Sequence, residues 1–392
     1  MSKKIVLAYS GGLDTTCAIK WLKDKGFDVI CFSAGLSSEY SSKDLKKRAI
    51  KSGASKIYIK DLRKEFAYKY ILPSLKADAI YEGKYVLSTA LARPLIAKAL
   101  VDIAKIENAK FVAHGCTAKG NDQVRFEVAI ASLDKDLNII APLREWELKS
   151  RPDEIEYAKK HKLPIRVSYN KPYSIDKNIW GVSIEGGVLE DLDKEPPENS
   201  YYFIKPLKKV EDKELDISIT FKNGVPLALN SKKLDLVNLI ERLNYIGARF
   251  GIGRTDLIED RVVGIKSREI YEAPAAWILI YAHKELENLT LDKDLLFFKE
   301  FVSNKYAQLI YQGLWFTNLR EALDAFIEKT QNRVSGTITL RLYKGNIITV
   351  KRSSIYSLYK EELATYSEKD KFNRNLAEGF IRIFGMPYKF YK

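Results

Sequence analysis

The stretch AYSGGLDTT, residues 8–16, decides how the first part of the chain folds. It follows the apolar run IVLA at 5–8 and precedes CAIKWLKDKG at 17–26, where apolar residues recur with helical spacing. A glycine-rich turn between a strand and a helix is typical of a phosphate site. Gly11 and Gly12 lack a Cβ atom, so backbone N–H groups can close around an anion, and the next helix points its positive N-terminus at the same place. The stretch therefore predicts a strand, a phosphate-binding turn and a helix.

The spacing within this turn excludes two common nucleotide-binding motifs. A Walker A loop needs G-x-x-x-x-G-K-[ST] and a dinucleotide fingerprint needs G-x-G-x-x-G, and the turn has neither spacing. What remains is S-G-G-x-D-[ST]-[ST], in which Ser10, Thr15 and Thr16 add hydroxyl donors. This motif resembles the pyrophosphate loop of the N-type ATP pyrophosphatases, which cleave ATP between the α and β phosphates. Asp14 is predicted to orient the loop or to help hold Mg²⁺. The structural alternative is a Gly-Gly turn in which Asp14 caps the helix.

Outward from this turn, the first part of the chain alternates between strands and helices. Strand patterns cover 3–10, 27–36, 56–62 and 109–115, and helical patterns cover 15–25, 41–52 and 88–107. Such βαβ units build a parallel sheet with helices on both faces. The alternation fades after a strand-like segment at 164–169. We therefore expect an α/β nucleotide-binding domain of the ATP pyrophosphatase type over residues 1–165.

The rest of the chain has a different pattern. Asn223-Gly224 joins two strand-like runs, and the turn at 344–346 joins two more, which predicts two hairpins. Helical patterns lie between them at 234–251 and 274–288. We expect an α+β domain over 166–360 and a helical arm over 361–392. The arm includes an amphipathic stretch whose apolar face needs a partner, so we expect it to serve in oligomerisation.

Composition limits the class of protein. The chain has 392 residues, of which 46% are hydrophobic and 30% charged, as in a soluble protein of two or three domains. No apolar run approaches the roughly 20 residues of a membrane helix. Three cysteines without a C-x-x-C pair, and only three histidines, argue against a disulfide framework, a structural zinc site or a histidine-based centre. We expect a reducing, cytoplasmic location.

The formal net charge of +14 allows three interpretations. It suits a nucleic-acid-binding protein, an enzyme that attracts anionic small substrates, or a protein with a lysine-rich surface. Lysine is interleaved with acidic residues almost throughout, and no basic stripe with spaced aromatic residues stands out. This interleaving favours the lysine-rich surface over nucleic-acid binding.

Two later stretches carry a second set of polar side chains. One is YVLSTALARPL at 85–95, and the other is HGCTAKGNDQVRFE at 114–127. The second follows an apolar strand, and the carboxyl ends of strands in an open α/β sheet face the ligand crevice. Asp122 suits an ammonium group and Arg125 a carboxylate, so the stretch can recognise both ends of an amino acid. The structural alternative is a capped, solvated loop before a helix.

Together these motifs resemble the argininosuccinate synthase family. The family shows Y-x-L-G-T-S-L-A-R-P and then H-G-x-T-G-K-G-N-D-Q-V-R-F, which the two stretches above match. Farther on it shows W-S-x-D-x-N and G-I-G-R-x-D-x-x-E-N-R-x-x-G-x-K-S-R-x-x-Y-E-x-P, matched here by YSIDKN at 173–178 and by residues 251–274. The stretch AEGFIRIFGMP at 377–387 is similar to the family's C-terminal arm. The likeness spans residue 4 to about 388.

The resemblance implies a reaction in arginine biosynthesis. The ureido oxygen of citrulline attacks the α-phosphate of ATP, giving citrullyl-AMP and pyrophosphate, and the α-amine of aspartate then displaces AMP to give argininosuccinate. The resemblance also implies a synthetase domain over 166–360, Mg²⁺ carried by ATP with no protein ligand firmly assigned, and a homotetramer held by the C-terminal arm. It implies neither a nucleic-acid partner nor a membrane.

The binding residues that the resemblance implies fall into three groups. ATP is expected at Ala8, Tyr9, Ser10, Gly11, Gly12, Leu13, Asp14, Thr15, Thr16, Ala34 and Gly115. Aspartate is expected at Thr89, Thr117, Asn121 and Asp122. Citrulline is expected at Tyr85, Asn121, Arg125, Ser174, Ser183, Glu259 and Tyr271.

Some positions depart from the family pattern. Ala90 stands where the family has Ser, so a hydroxyl expected near citrulline is missing, and Ser88 replaces a Gly two residues earlier. Ala118 replaces the Gly of T-G-K-G, and Glu269 replaces the Gly of K-S-R-G. These changes bear on affinity more than on the class of reaction.

Two other functions stay open on the sequence alone. A tRNA-modifying enzyme of the same ATP pyrophosphatase group would use the positive charge, but such enzymes usually need a cysteine pair, a zinc site or an RNA-binding appendage. A non-enzymatic nucleotide-binding module would have no use for the polar residues between 85 and 125.

Overall fold

A computed structural model describes residues 3–39, 42–117, 119–165 and 173–391. Up to residue 165 the chain forms five strands and eight α-helices, with a π-helical turn at Ala67–Ile71 between the third and fourth helices. The strands are β1 (Lys3–Ala8), β2 (Phe27–Gly35), β3 (Lys56–Asp61), β4 (Phe111–Ala113) and β5 (Asn138–Ile140). The helices are α1 (Leu13–Asp24), α2 (Ser42–Lys51), α3 (Arg63–Phe66), α4 (Leu72–Lys76), α5 (Ser88–Ile106), α6 (Asn121–Leu133), α7 (Pro142–Glu145) and α8 (Arg151–Lys160).

The five strands make one parallel sheet in the order β3-β2-β1-β4-β5. The order reverses between β1 and β4, and ligands of open α/β sheets bind outside the carboxyl ends of the strands at such a point. The turn after β1 and the loop that begins at His114 after β4 therefore meet at one crevice. The predicted α/β fold with a parallel sheet is confirmed, and its elements lie within three residues of the predicted bounds where the two can be compared. Most of the strand predicted at 164–169 lies outside the described residues.

Beyond residue 173 the chain is α+β, as predicted. Its elements, in chain order, are β6 (Ser174–Asn178), β7 (Gly181–Glu185), β8 (Leu215–Lys222), β9 (Val225–Leu229), β10 (Lys232–Lys233), α9 (Leu236–Arg249), β11 (Arg254–Asp260), β12 (Lys266–Glu272), α10 (Pro274–Thr290), α11 (Lys293–Tyr311), α12 (Asn318–Thr330), β13 (Gly336–Tyr343), β14 (Asn346–Ser353), α13 (Glu361–Ala364) and α14 (Asn375–Phe384). Short 3₁₀ turns connect some of them.

The two predicted hairpins belong to one antiparallel sheet in the order β10-β9-β8-β13-β14. Both turns place residues in the left-handed region, with φ of +50° at Asn223 and +41° at Lys344, each followed by glycine. Helix α10 packs against β13 and β14, and α9 packs against α10. The predicted helices at 234–251 and 274–288 are confirmed as α9 and α10.

A further antiparallel sheet, ordered β11-β12-β7-β6, was not predicted from the sequence. Helix α5 packs against β1 of the parallel sheet and also against β6 and β7. This helix therefore connects the two sheets, and one face of the antiparallel sheet is turned to the crevice.

A buried ionic cluster joins the first part of the chain to the second. Nζ of Lys299 on α11 donates to Oδ2 of Asp78 at 2.5 Å and to Oε2 of Glu287 on α10 at 2.9 Å. His283 is hydrogen-bonded to Asp78 at 2.8 Å and to Gln331 at 2.7 Å. Asp78, His283 and Glu287 have the ligand atoms and spacing that suit a metal ion. Here the Lys299 ammonium already supplies the cation.

The C-terminal arm differs from the rest of the molecule because its apolar side chains are exposed. On α14, Phe380 is 65% exposed, Ile383 71% and Phe384 64%. Elsewhere, one large core runs through both parts of the chain. Among the residues that the structure describes, no helix has the length and apolar character needed to cross a bilayer.

Candidate active site

The turn after β1 is built for close approach to an anion. Gly11 has φ of +79°, and a Cβ atom there would collide with Leu45 and Arg48 of α2, so only glycine fits. The Arg48 guanidinium donates to the Gly11 carbonyl and fixes the turn from behind. Gly12 is the N-cap residue of helix α1 and offers no side-chain cap, which leaves the first N–H groups of the helix available to a ligand. The Ser10 and Thr15 hydroxyls lie 3.1 Å apart beside them.

The loop after β4 approaches the same turn. A Cβ atom on Gly115 would lie 2.6 Å from Cγ2 of Thr15, so glycine is needed where the two loops meet. Helix α6 then begins at Asn121, and its N-cap residue, Gly120, again offers no side-chain cap. By contrast, Ser150 and Asp153 form a capping box at the start of α8.

The antiparallel sheet β11-β12-β7-β6 supplies a wall of polar side chains. Along a strand, alternate residues share a face, and residues paired in register across strands share it too. Tyr271 pairs with Ser183, and Ser183 pairs with Asp176. Glu259 pairs with Ser267. The polar residues that this alternation places on one face include Ser174, Asp176, Ser183, Glu185, Glu259, Ser267, Glu269 and Tyr271, and the apolar Leu257, which pairs with Glu269, shares that face.

These elements enclose a cavity of about 530 Å³. Of the residues predicted to bind ATP, seven line it: Ala8, Tyr9, Ser10, Asp14, Thr15, Ala34 and Gly115. Every residue predicted for aspartate or citrulline lines it as well: Tyr85, Thr89, Thr117, Asn121, Asp122, Arg125, Ser174, Ser183, Glu259 and Tyr271. Gly11, Gly12, Leu13 and Thr16 do not; the Thr16 hydroxyl lies 3.4 Å from the Tyr9 hydroxyl behind the turn. Ala118 lies outside the described residues.

Stacked tyrosines hold the polar groups of the second wall in place. The Tyr85 ring stacks on Tyr271 with ring centres 4.1 Å apart. The Tyr85 hydroxyl accepts from the backbone N–H groups of Thr89 and Ala90, both at 3.1 Å, where α5 begins. Helix α5 begins there because Leu87 takes a left-handed φ of +63°. The Tyr85 hydroxyl thus satisfies a helix N-terminus and keeps its own proton for another acceptor.

Glu259 is held by two tyrosines and an amide. The Tyr311 hydroxyl donates to Oε1 at 2.6 Å, and the Tyr271 hydroxyl donates to Oε2. Asn121 Nδ2 donates to the Tyr311 hydroxyl at 2.8 Å. Burial, and repulsion by the Glu269 carboxylate, raise the pKa of Glu259 to about 7. Its protonation state is therefore sensitive to whatever charge enters the cavity.

Asp122 lies in the opposite electrostatic situation. Its Oδ2 accepts from Arg93 at 2.7 Å and its Oδ1 from Arg125 at 2.9 Å. Burial alone would raise the pKa of Asp122, but the two guanidinium groups outweigh burial and lower it to about 2. Arg93 also forms an ion pair with Asp176. Asp122 thus stays ionised throughout the neutral range.

Two reactive residue types near the cavity have structural roles. The His114 ring accepts from the backbone N–H of Cys116 through Nδ1 at 3.3 Å, so its Nε2 carries the proton and faces Glu127 at 3.0 Å. Burial raises the pKa of the Cys116 thiol, which keeps it protonated. Neither residue is prepared to act as a base or a nucleophile.

The sequence motifs give no role to several residues of this cavity. Glu185, Arg261 and Glu269 line it, as does Arg93, which forms an ion pair with Asp122. Alternation along KSREIYE, where Ser, Glu and Tyr fall on one face, was a usable signal for Glu269. No local signal identifies Tyr311, because it lies at the end of α11, 52 residues from its partner Glu259.

The arrangement suits group transfer from a nucleotide to an amino acid. One wall offers uncapped helix N-termini, glycine turns and hydroxyls, which bind phosphates. The other offers carboxylates, guanidinium groups and hydroxyls, which bind ammonium, carboxylate and amide groups. Six carboxylates (Asp14, Asp122, Asp176, Glu185, Glu259 and Glu269) and four cations (Arg93, Arg125, Lys177 and Arg261) line the cavity, an excess of acids that favours at least one cationic ligand group.

Comparison with known proteins covers nearly the whole chain. Residues 4–164 match the model of the arginosuccinate synthase N-terminal HUP domain, and residues 173–391 match that of the arginosuccinate synthase C-terminal domain. The argininosuccinate synthase of Pelotomaculum thermopropionicum is 53% identical over 98% of this chain and 96% of its own length. That of Chlorobium phaeobacteroides is 54% identical over 99% and 97%.

Matches to solved structures are more distant. A predicted subunit of a tRNA methyltransferase from Methanocaldococcus jannaschii superposes with a TM-score of 0.29 and 14% identity, over 40% of this chain and 76% of that chain. A 4-thiouridine synthetase in complex with RNA and ATP superposes with a TM-score of 0.29 and 20% identity, over 41% of this chain and 40% of that chain.

Proposed function

The chain belongs to the argininosuccinate synthase family, and from this membership we propose that its polar cavity is where ATP, citrulline and aspartate react. The enzyme is an ATP-dependent carbon–nitrogen ligase of arginine biosynthesis. It condenses L-citrulline with L-aspartate through citrullyl-AMP, giving argininosuccinate, AMP and pyrophosphate. One observation carries the assignment of the site: the glycine turn after β1 and the polar face of β7, β11 and β12 line the same cavity.

ATP binds with its phosphates at the turn. The Ser10 and Thr15 hydroxyls and the N-terminus of α1 hold the pyrophosphate that leaves, and the bare backbone at Gly115 allows the nucleotide to lie between the two loops. Mg²⁺ arrives as part of the MgATP substrate, and Asp14 is the carboxylate that the turn presents to it.

The two amino acids bind along the second wall. Arg125 pairs with the α-carboxylate of citrulline and Glu259 accepts from its α-ammonium, with Tyr85, Asn121, Ser174, Ser183 and Tyr271 around it. Aspartate binds at Thr89, Thr117, Asn121 and Asp122. Thr89 and Ser183 support this arrangement, because their hydroxyls lie 2.9 Å apart and bring the aspartate and citrulline positions together.

Catalysis then rests on positioning and on charge neutralisation. The ureido oxygen attacks the α-phosphate in line with the leaving pyrophosphate, whose charge is stabilised by the helix N-terminus and the hydroxyls of the turn. The α-amine of aspartate next attacks the ureido carbon and AMP leaves with the former ureido oxygen. The His114 ring is engaged with Cys116 and Glu127, and in this scheme aspartate reacts as its neutral amine.

Isotope transfer tests this function directly. Citrulline labelled with ¹⁸O in the ureido group should give AMP that carries one ¹⁸O, since the oxygen stays on the α-phosphate. Pyrophosphate release should need citrulline, and AMP release should need aspartate. Release of pyrophosphate with tRNA as the only added substrate besides ATP would instead indicate a tRNA-modifying enzyme. Binding of ATP without turnover would indicate a nucleotide sensor. Either result, or AMP without label, contradicts the proposal.

The C-terminal arm supports the assembly that we propose, a homotetramer. Its exposed apolar residues on α14, with Phe390 80% exposed beyond it, would be covered by another copy of the chain. Light scattering after gel filtration should give the mass of four chains for the full protein and a lower mass when residues 361–392 are removed. A monomeric full chain would contradict the proposal.

Two further expectations stay predictions. The division into residues 1–165, 166–360 and 361–392 is supported by the parallel sheet in the first segment and the two antiparallel sheets in the second. We also assign the enzyme to the cytoplasm. Cys17, Cys31 and Cys116 are free thiols, which suits a reducing compartment.

A further inference from the structure

Glu269 is a cavity residue to which the family motif gives no role, because that motif has glycine at this position. It lies on β12 between Ser267 and Tyr271, on the polar face, and its side chain is 12% exposed. Its Oε2 accepts from the Tyr271 hydroxyl at 3.0 Å, and its Oε1 accepts from Arg261 at 3.2 Å. The carboxylate is therefore fixed in the cavity and does not extend to bulk water.

The protein alone leaves this carboxylate incompletely neutralised. The Tyr271 hydroxyl lies within hydrogen-bond distance of both Glu259 and Glu269, yet it has one proton and can donate to only one of them at a time. Arg261 is likewise shared between Glu269 and Glu185, with 2.8 Å to the latter. Burial and the charge of Glu269 raise the pKa of both Glu185 and Glu259 to about 7. This wall gains stability when a cation enters the cavity beside it.

A second departure from the family motif lies on the other side of the same tyrosine pair. Ala90 stands where the motif has Ser, and it is fully buried. Its backbone N–H donates to the hydroxyl of Tyr85, whose ring stacks on Tyr271. The N-terminal turn of α5 is thus tied through its backbone to the same stacked pair of tyrosines.

We propose that Glu269 determines specificity for citrulline by binding its α-ammonium group together with Glu259. This inference rests on the proposed function, because it takes citrulline as the substrate of this wall. The ammonium has three protons to donate, so it can satisfy both carboxylates at once, which the single Tyr271 proton cannot. An analogue without the α-amino group gains nothing from Glu269.

The test compares citrulline with 5-ureidopentanoate, which is citrulline without its α-amino group. The variants are Glu269→Gln, which removes the charge and keeps the shape, and Glu269→Gly, which introduces the residue of the family motif. Each should raise the KM for citrulline by about 10- to 100-fold, the value of a hydrogen bond to a charged group. The inhibition constant of 5-ureidopentanoate, measured in competition with citrulline, should change by less than about twofold.

Controls separate this inference from the proposed function. Glu198→Gln removes an exposed carboxylate that pairs with Arg254, and should leave the KM for citrulline unchanged. The KM values for ATP and aspartate should stay constant in the Glu269 variants. Glu269 does not bind the ammonium if the KM for citrulline and the inhibition constant of 5-ureidopentanoate rise by the same factor. The same conclusion follows if the KM for citrulline does not rise. Failure of the unmodified enzyme to use citrulline would instead overturn the proposed function.

Discussion

Replacing Lys299 by Met should destabilise the fold by an amount that depends on pH. Lys299 is 3% exposed, and its ammonium is the cation between the buried carboxylates of Asp78 and Glu287. Burial alone would lower the pKa of His283, but Asp78 and Glu287 raise it above its usual value, so the cluster pairs two acids with two cations. The variant leaves one buried negative charge in excess. Breaking such a buried pair costs about 3–5 kcal/mol, or a fall in Tm of roughly 10 °C.

The pH dependence follows from Glu287. Burial and the Asp78 charge already raise the pKa of Glu287 to about 7, so this carboxyl is the group that takes up a proton when Lys299 is lost. A group whose pKa is raised on folding contributes stability at low pH that is lost as pH rises through the folded pKa. The defect of Lys299→Met should therefore be largest at pH 8. It should shrink toward pH 6 by at most about 1.4 kcal/mol per pH unit.

The assay is thermal unfolding at several pH values, with two comparison variants. Lys305→Met changes an exposed residue of the same helix and should cost less than about 0.5 kcal/mol. Adding Glu287→Gln to Lys299→Met removes the excess charge and should restore part of the lost stability. The reasoning is refuted if Lys299→Met unfolds like Lys305→Met, or if its defect grows as the pH falls.

Three other predictions concern Gly115 beside the glycine turn, Glu154 behind that turn, and Arg125 on α6. Gly115→Ala should raise the KM for ATP about tenfold, because the new Cβ would meet Thr15 at 2.6 Å; ATP titrations should show no change for Gly379→Ala, which has open space around it. Burial, and the hydrogen bond to Asp14 on α1, raise the pKa of Glu154 to about 9, so Glu154 costs stability increasingly as pH rises from about 4.5 to 9. The Tm of Glu154→Gln relative to the unmodified enzyme should rise over that range, and a constant difference would contradict the assignment. Arg125→Ala should raise the KM for citrulline about tenfold with the KM for ATP within about twofold; steady-state kinetics with an unchanged citrulline KM would remove Arg125 from the site.

The parts of the fold that follow local rules could be predicted from the sequence. The alternation of apolar strands and amphipathic helices gave the parallel sheet, and left-handed turns at Asn223-Gly224 and Lys344-Gly345 gave two hairpins. The third sheet was not predicted because its strands are rich in polar residues: SIDKN at 174–178 and KSREIYE at 266–272 carry cavity-lining polar residues on one side. Their pairing also depends on partners far away in the chain, which no window of sequence contains.

The candidate site divides in the same way. Asn121, Asp122 and Arg125 could be predicted as site residues because several polar side chains lie within a few residues of one another in the sequence. Their interactions could not be predicted, because they depend on tertiary contacts. Two guanidinium groups lower the pKa of Asp122, and the Tyr311 hydroxyl donates to Glu259.

Strands β7 and β12 have one further consequence, for how the enzyme can change over evolutionary time. Ser183 and Tyr271 line the cavity, whereas their neighbours Ile184 and Ile270 are fully buried in a separate apolar cluster. Stability and substrate choice are thus encoded at alternate positions of the same strands. A substitution at one set leaves the other intact, so this wall can adapt to a new acceptor amino acid while the fold and the chemistry of the glycine turn are inherited unchanged.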